Sequence, residues 1–246
     1  MALICIFIMP AQAANLWLFG GGNRSPLALK NLVDLATDIH ADPMSLVITW
    51  PSAATEETFQ SIRTDLETAG AKRVVHGPSL DDVAANPLAF KNLLDSTNIV
   101  FISGGDQNTA LDFLDKNPLI KKWLQDSYSH GTIFAGTSAG TAMMSAQSIC
   151  GPSDADQISP TITCLRTGLG LLPDNIMVDQ HFIKRSRYNR LLSVLLYQHN
   201  IDRAIGINED SCVWFSRNKI KKIWGDAISL EKKRHGFLLN FLDSSK

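Results

Sequence analysis

Thr132-Ile133-Phe134-Ala135-Gly136-Thr137-Ser138-Ala139-Gly140-Thr141-Ala142 is the stretch on which the reading of this chain turns. Residues 132–135 are apolar and suited to a strand, and small residues follow at helical density, so the segment reads as strand, sharp turn, helix. Gly136-Thr137-Ser138-Ala139-Gly140 fits G-x-S-x-G, the turn that lifts a serine to the top of a sheet. Glycine on both sides allows the sharp reversal where crowding forbids a larger residue. The positive potential at a helix start favours negative charge developing beside Ser138. The Ala139 N–H points where an oxyanion would form. A small-residue turn without chemistry shares the pattern, but the strand before and the helix after favour a nucleophile.

Outward from this turn, apolar runs at 15–19, 45–50, 73–76 and 98–103 read as further strands. Between them, residues 28–39 place Leu29, Leu32, Val33 and Ala36 on one helical stripe, and residues 56–69 place Phe59, Ile62, Leu66 and Ala69 likewise. Residues 111–128 are broken by Asn117-Pro118 and read as two helices. The small-residue helix after Ser138 is expected over 139–149. Strands alternating with helices predict an α/β fold with a parallel sheet and helices on both faces. After Cys150 the rhythm changes. A polar loop over 151–163 precedes an apolar strand at 176–178 and a helix over 187–199. Short strands at 204–207, 211–216, 219–224 and 227–230 then form a β-rich C-terminal extension, with Arg217-Asn218 and Gly225-Asp226 as turns. No repeat or linker divides residues 14–246, which read as one domain.

The chain has 246 residues, a formal net charge of −1, 45% hydrophobic and 19% charged residues. That length can bury a sizeable core, and the composition argues against disorder. A near-zero charge argues against a nucleic-acid partner. No apolar run reaches the ~18 residues of a membrane span. Four cysteines are too few for a disulfide scaffold. No Cys/His metal spacing appears, and no cofactor is expected.

A serine nucleophile needs a base. Of six histidines, His181 stands out, in Asp179-Gln180-His181-Phe182 just past the strand at 176–178. Strand ends are where open α/β sheets place their sites; the other five sit beside turns or in polar positions. The third member is a carboxylate that orients the imidazole. Glu209, in Gly206-Ile207-Asn208-Glu209-Asp210, and Asp156, in the polar loop, are both candidates, and the residues alone leave the choice open. Ser103-Gly104-Gly105-Asp106-Gln107 ends the fourth strand. An N–H at Gly104 or Gly105 is a second oxyanion donor, Gly105 being the one carried forward beside Ala139, and Gln107 is placed to orient substrate. Gly20-Gly21-Gly22 lacks the G-x-G-x-x-G spacing of a dinucleotide loop. From Gln180 to Ile201 there is no acid, while Lys184, Arg185, Arg187 and Arg190 lie in that span. Arginines hold carboxylates bidentately. Beside a Ser–His pair they suggest an acidic substrate, although a charge run is more often a solvated helix start.

Taken together, Gly104-Gly105-Asp106-Gln107, the elbow at 136–140, Gly168-Leu169-Gly170-Leu171-Leu172, Asp179-Gln180-His181-Phe182 with Arg185, Arg187 and Arg190, and Gly206-Ile207-Asn208-Glu209-Asp210 resemble the cyanophycinase and peptidase E family of serine peptidases. The resemblance runs from about Leu16 to Trp224. It implies a flavodoxin-like, class I glutamine amidotransferase-like fold, with Ser138 as nucleophile and His181 as base. It implies that Gln107, Asp179, Gln180, Arg185, Arg187 and Arg190 line the substrate pocket. The implied activity is release of β-Asp-Arg dipeptides from cyanophycin, an aspartate-rich polymer carrying arginine on its side-chain carboxyls. The alternatives are an aspartyl or isoaspartyl dipeptidase of the peptidase E type and a non-catalytic binder of acidic peptides. The expected partner is therefore an aspartate-rich peptide or polymer, with neither nucleic acid nor membrane, and with a homodimer left open.

Residues 1–13 form an apolar run followed by Pro10 and Ala11-Gln12-Ala13, and read as a signal peptide that lacks the usual basic start. A buried first strand is the alternative. A cleaved leader implies a periplasmic or secreted protein; a retained one implies the cytoplasm. Cys150 and Cys164 flank the polar loop and would pair in an oxidising compartment, against the alternative of buried free thiols.

Overall fold

The computed structural model describes residues 14–150, 157–160 and 164–244. The leader read at 1–13 and the candidate acid Asp156 lie outside the described residues. In the first half, strands and helices alternate: β1 (Asn15–Phe19), α1 (Pro26–Ile39), β2 (Met44–Ile48), α2 (Thr55–Thr68), β3 (Arg73–His76), α3 (Leu80–Ala85), α4 (Pro87–Asp95), β4 (Ile99–Ile102), α5 (Gln107–Lys116), α6 (Pro118–Ser129) and β5 (Ile133–Thr137). The second half runs α7 (Ala139–Ala142), β6 (Gln147–Cys150), β7 (Cys164–Thr167), β8 (Ile176–Asp179), α8 (Tyr188–Tyr197), β9 (Arg203–Ile207), β10 (Cys212–Ser216), β11 (Lys219–Trp224), β12 (Asp226–Lys233) and β13 (Gly236–Asp243).

Local chemistry sets the helix starts. Pro26, Pro87 and Pro118 stand in the first turns of α1, α4 and α6, where a missing N–H costs nothing. Ser25, Ser79 and Asn86 cap the first turns of α1, α3 and α4 with side-chain oxygens.

The large sheet has the order β11-β10-β1-β5-β4-β2-β3. Its strands from β1 to β3 are parallel; β10 and β11 join antiparallel at the β1 side. The parallel strands alternate their side chains between two cores. Leu16, Leu18, Leu46, Ile48, Val100, Ile102 and Phe134 meet Phe90, Leu111 and Leu124 of α4, α5 and α6. Trp17, Phe19, Val47, Phe101 and Ile133 meet Leu29, Leu32, Ile62 and Leu66 of α1 and α2. Burial on both faces explains why β1, β2, β4 and β5 are continuous apolar runs.

A second sheet has the order β13-β12-β9-β8, with β8 and β9 parallel and the remaining pairs antiparallel. Leu191, Val194 and Leu195 of α8 pack on its Met177, Ala204, Ile228 and Leu230. The expected α/β architecture with a β-rich extension is present. Within the extension, though, the strand after 176 and the strand before Glu209 leave the main sheet. A third, two-stranded sheet pairs β6 with β7, and Cys150 and Cys164, opposite each other in register, form a disulfide.

The helix expected over 139–149 stops at Ala142. Its next carbonyls are taken by an incoming segment: Leu169 N–H donates to Met143 O, Leu171 N–H to Met144 O, and Gly168 N–H to Ala146 O. A Cβ on Gly168 would lie 2.1 Å from Ser145 O, so only glycine admits this approach. The chain then pairs as β6. The helices α3 and α4 and the last strand β13 have no counterpart in the sequence reading.

Candidate active site

Neighbouring strands β1, β5 and β4 end at one edge of the large sheet. They deliver Gly20-Gly21-Gly22, Ser138 and Gly104-Gly105 to the same place. Ser138 has φ 51°, a backbone conformation few side-chain-bearing residues adopt. Its N–H donates to Phe19 O at 3.1 Å, and its carbonyl accepts from Ala142 N–H at 3.0 Å. A Cβ on Gly136 would come within 2.6 Å of the Gly140 carbonyl carbon, and one on Gly140 within 2.2 Å of Ile102 O. Both elbow glycines are therefore sterically required. The buried Thr141 hydroxyl lies 2.7 Å from Phe19 O and 2.6 Å from Gly136 O, fastening the elbow to β1.

His181 follows β8. Its N–H donates to Gly20 O at 2.7 Å, so the second sheet is hydrogen-bonded to the end of β1 at this point. A Cβ on Gly21, which has φ 101°, would fall 2.2 Å from the imidazole Cε1; the missing side chain is the space the ring occupies. The ring Nε2 lies 2.8 Å from Ser138 Oγ, and Nδ1 lies 2.6 Å from Glu209 Oε1. A carboxylate at Nδ1 fixes the proton there, so Nε2 is left to accept from the serine hydroxyl. Ser138, His181 and Glu209 form one hydrogen-bonded chain. Glu209 is the carboxylate on His181 among the described residues.

Glu209 follows β9, and its other oxygen accepts from Lys184 Nζ at 2.5 Å. The Lys184 hydrogen bond, with that of His181, holds the Glu209 carboxyl below the usual carboxylate range against the opposing effect of burial. Burial pushes the His181 imidazole down; Glu209 opposes this, while the charges of Arg185 and Arg187 add to it. A lowered imidazole is unprotonated near neutrality, as a general base requires.

Gly104 lies against the serine: a Cβ there would be 3.3 Å from Ser138 Cβ. Gly105 has φ 133°, and a Cβ on it would lie 2.0 Å from Pro51 O. Among the described residues, neither the Ala139 nor the Gly105 N–H donates to a protein acceptor. Ala139 adjoins Ser138 in the chain, and Gly105 lines the same cleft as Ser138.

An open cleft of about 450 Å3 adjoins Ser138 and His181, and Gly21, Gly104, Arg24 and Glu57 also line it. Four of the residues expected in the substrate pocket stand apart from this cleft. Asp179, Gln180, Arg187 and Arg190 are only 1–5% exposed and do not line this cleft. The Asp179 carboxylate accepts from Arg190 Nε at 2.7 Å, from Arg190 Nη2, and from Arg187 Nη1 at 3.2 Å. Arg187 Nη1 also donates to Gln180 O at 2.8 Å and to Gln180 Oε1 at 2.6 Å. Burial pushes the Arg187 guanidinium down to about 10, the Asp179 charge opposing the shift. These residues bind one another and hold the segment that leads into His181.

Gln107 Nε2 donates to Ile149 O at 2.9 Å, joining α5 to β6. Of the strip read as basic, Lys184 and Arg185 remain exposed. The sequence reading missed Arg24 and Glu57. The one available signal was position: both follow strand ends on the edge that carries Ser138.

Residues 16–223 match the sequence model of peptidase family S51. The chain is 30% identical over 177 residues to a cyanophycinase of Geminocystis herdmanii, covering 71% of this chain and 64% of that protein. It is 35% identical over 126 residues to a cyanophycinase of Synechococcus elongatus, covering 51% and 38%. The matches thus span less than two thirds of these relatives' lengths. The crystal structure of a peptidase from an acI-B1 actinobacterium superposes with a TM-score of 0.74 at 22% identity, over 96% of both chains; it shares the fold.

Proposed function

The chain belongs to peptidase family S51, and on that premise we propose that it is a serine exopeptidase that hydrolyses cyanophycin to β-Asp-Arg dipeptides. The observation that carries the reading is the continuous chain Ser138 Oγ–His181 Nε2 at 2.8 Å and His181 Nδ1–Glu209 Oε1 at 2.6 Å. The matches to cyanophycinases support the substrate.

In this reading, Ser138 Oγ attacks the scissile carbonyl while its proton passes to His181 Nε2. The imidazolium is stabilised by Glu209. The oxygen of the tetrahedral intermediate takes hydrogen bonds from the Ala139 and Gly105 N–H groups. Collapse breaks the C–N bond, and His181 returns its proton to the leaving amine. Water, deprotonated by His181, then cleaves the acyl-serine ester and restores Ser138.

Product analysis on the polymer tests this. Release of β-Asp-Arg that vanishes in Ser138→Ala supports the reading, and turnover unchanged in that variant refutes it. Cleavage of short aspartyl or isoaspartyl dipeptides with the polymer untouched would replace it by the dipeptidase alternative. A fluorophosphonate that fails to label Ser138 would favour a non-catalytic binder.

We also propose that the protein works in an oxidising compartment. The Cys150–Cys164 disulfide supports this, since such bonds persist there. Mass spectrometry of the N-terminus in protein from the native host tests it; an intact Met1 would remove the export reading.

A further inference from the structure

We propose that Glu57 selects a cationic side chain on the substrate, through a carboxylate–guanidinium pair formed across the cleft from Ser138. The class of substrate, an arginine-bearing aspartyl peptide, rests on the function proposed above; the charge argument stands on the cleft alone.

The α2 residues Glu57, Ser61 and Asp65 stand at i, i+4 and i+8, one stripe along the helix, and Glu57 and Ser61 line the cleft. Arg24, on the loop after β1, is spent on two of these. Its Nε lies 2.5 Å from Asp65 Oδ2 and its Nη2 lies 2.6 Å from Ser61 Oγ. The Arg24 side chain is 15% exposed, so its charge is both neutralised and largely covered. Neighbouring Glu56 turns to His76 at 3.4 Å. Glu57 is the remaining carboxylate of the cleft, and no ion pair among the described residues engages it.

Among the described residues that line the cleft, Arg24 is paired with Asp65 and Glu57 has no ion pair. His181 is neutral when it serves as base. Glu57 therefore offers a carboxylate to a cation entering the cleft, while the exposed Arg185 acts on the His181 side. A guanidinium meets a carboxylate bidentately, which ammonium and neutral groups do not match.

The test uses Ser138→Ala protein, so that ligand is not consumed, and isothermal titration with two isopeptides. One is a β-aspartyl-arginine oligomer; the other carries citrulline, which keeps the shape and removes the charge. With Glu57 present, the arginine ligand is expected to bind about tenfold tighter. The preference is expected to vanish in Glu57→Gln and to reverse in Glu57→Lys, with thermal midpoints unchanged because the position is exposed. Equal affinity for both ligands, binding by neither, or a preference that survives Glu57→Gln overturns the proposal. Turnover of polymer by the Ser138 protein is scored separately. No turnover with the arginine preference intact would remove the peptidase reading and leave the cation site standing.

Discussion

Asp179→Asn separates two roles for the buried arginines. Asp179 is 1% exposed, and its two oxygens accept from Arg187, Arg190 and the Gln180 N–H. Asparagine keeps the shape, removes the charge, and turns an N–H2 toward a guanidinium. Two cations at 3% and 5% exposure are then left without a counter-charge. Removing one partner of a buried ion pair costs about 3–5 kcal/mol, because the other charge stays desolvated. For a chain of this size, a loss of 1 kcal/mol lowers the midpoint by about 2–4 °C, so the fall should be about 6–20 °C. Arg190→Met leaves one Arg187 charge to share Asp179 and should cost less. The assay is a thermal melt paired with steady-state kinetics well below the midpoint. The reasoning expects a large fall in midpoint with KM within about twofold of the parent. A midpoint within about 2 °C of the parent and a KM raised about tenfold would refute it. That pair of results would return Asp179 and the two arginines to the substrate pocket.

Lys184→Met should move the acid limb of kcat/KM to higher pH. Without the lysine, Glu209 stabilises the imidazolium more strongly, so the lowered His181 imidazole rises toward its ordinary value; a pH–rate profile checks this. Gly21→Ala puts a methyl group where the His181 ring sits, and kcat should fall by about 10²–10⁴, read by turnover and by fluorophosphonate labelling rate. Cys150→Ser opens a loop of 14-residue separation and should cost about 3 kcal/mol, measured as a midpoint that no longer responds to reductant.

The elements that pack on both faces of the large sheet were legible because their periodicity is their burial. Continuous apolar runs gave β1, β2, β4 and β5, and the stripe Leu29, Leu32, Val33, Ala36 gave α1. The elbow was legible because steric demand at Gly136 and Gly140 writes itself as residue type. His181 could be placed only by its position after a strand, and Glu209 only as one of two acids. Tertiary contacts chose between readings elsewhere. Small residues after Ser138 suit a helix, yet the segment at 168–172 takes its carbonyls and ends it at Ala142. The arginine run looks like a surface strip because its counter-charge, Asp179, ends the strand β8 and does not lie on the helix that carries Arg190. Arg24 and Glu57 carry no motif at all; a cleft between β1 and α2 is a property of the assembled sheet.

The hydrogen-bonded chain from Ser138 to Glu209 crosses a seam. Ser138 follows β5 of the seven-stranded sheet, whereas His181 and Glu209 follow β8 and β9 of the four-stranded one. Main-chain bonds join the segments beside them: His181 N–H to Gly20 O and Asp210 N–H to Gly21 O. The 2.8 Å between Oγ and Nε2 is therefore a gauge of how two layers are aligned. A substitution far from the cleft that slides one layer by about 1 Å would leave both sheets folded and every reacting side chain present, and would still stop turnover by pulling Ser138 away from His181. Loss of turnover on warming should accordingly precede loss of helix and strand.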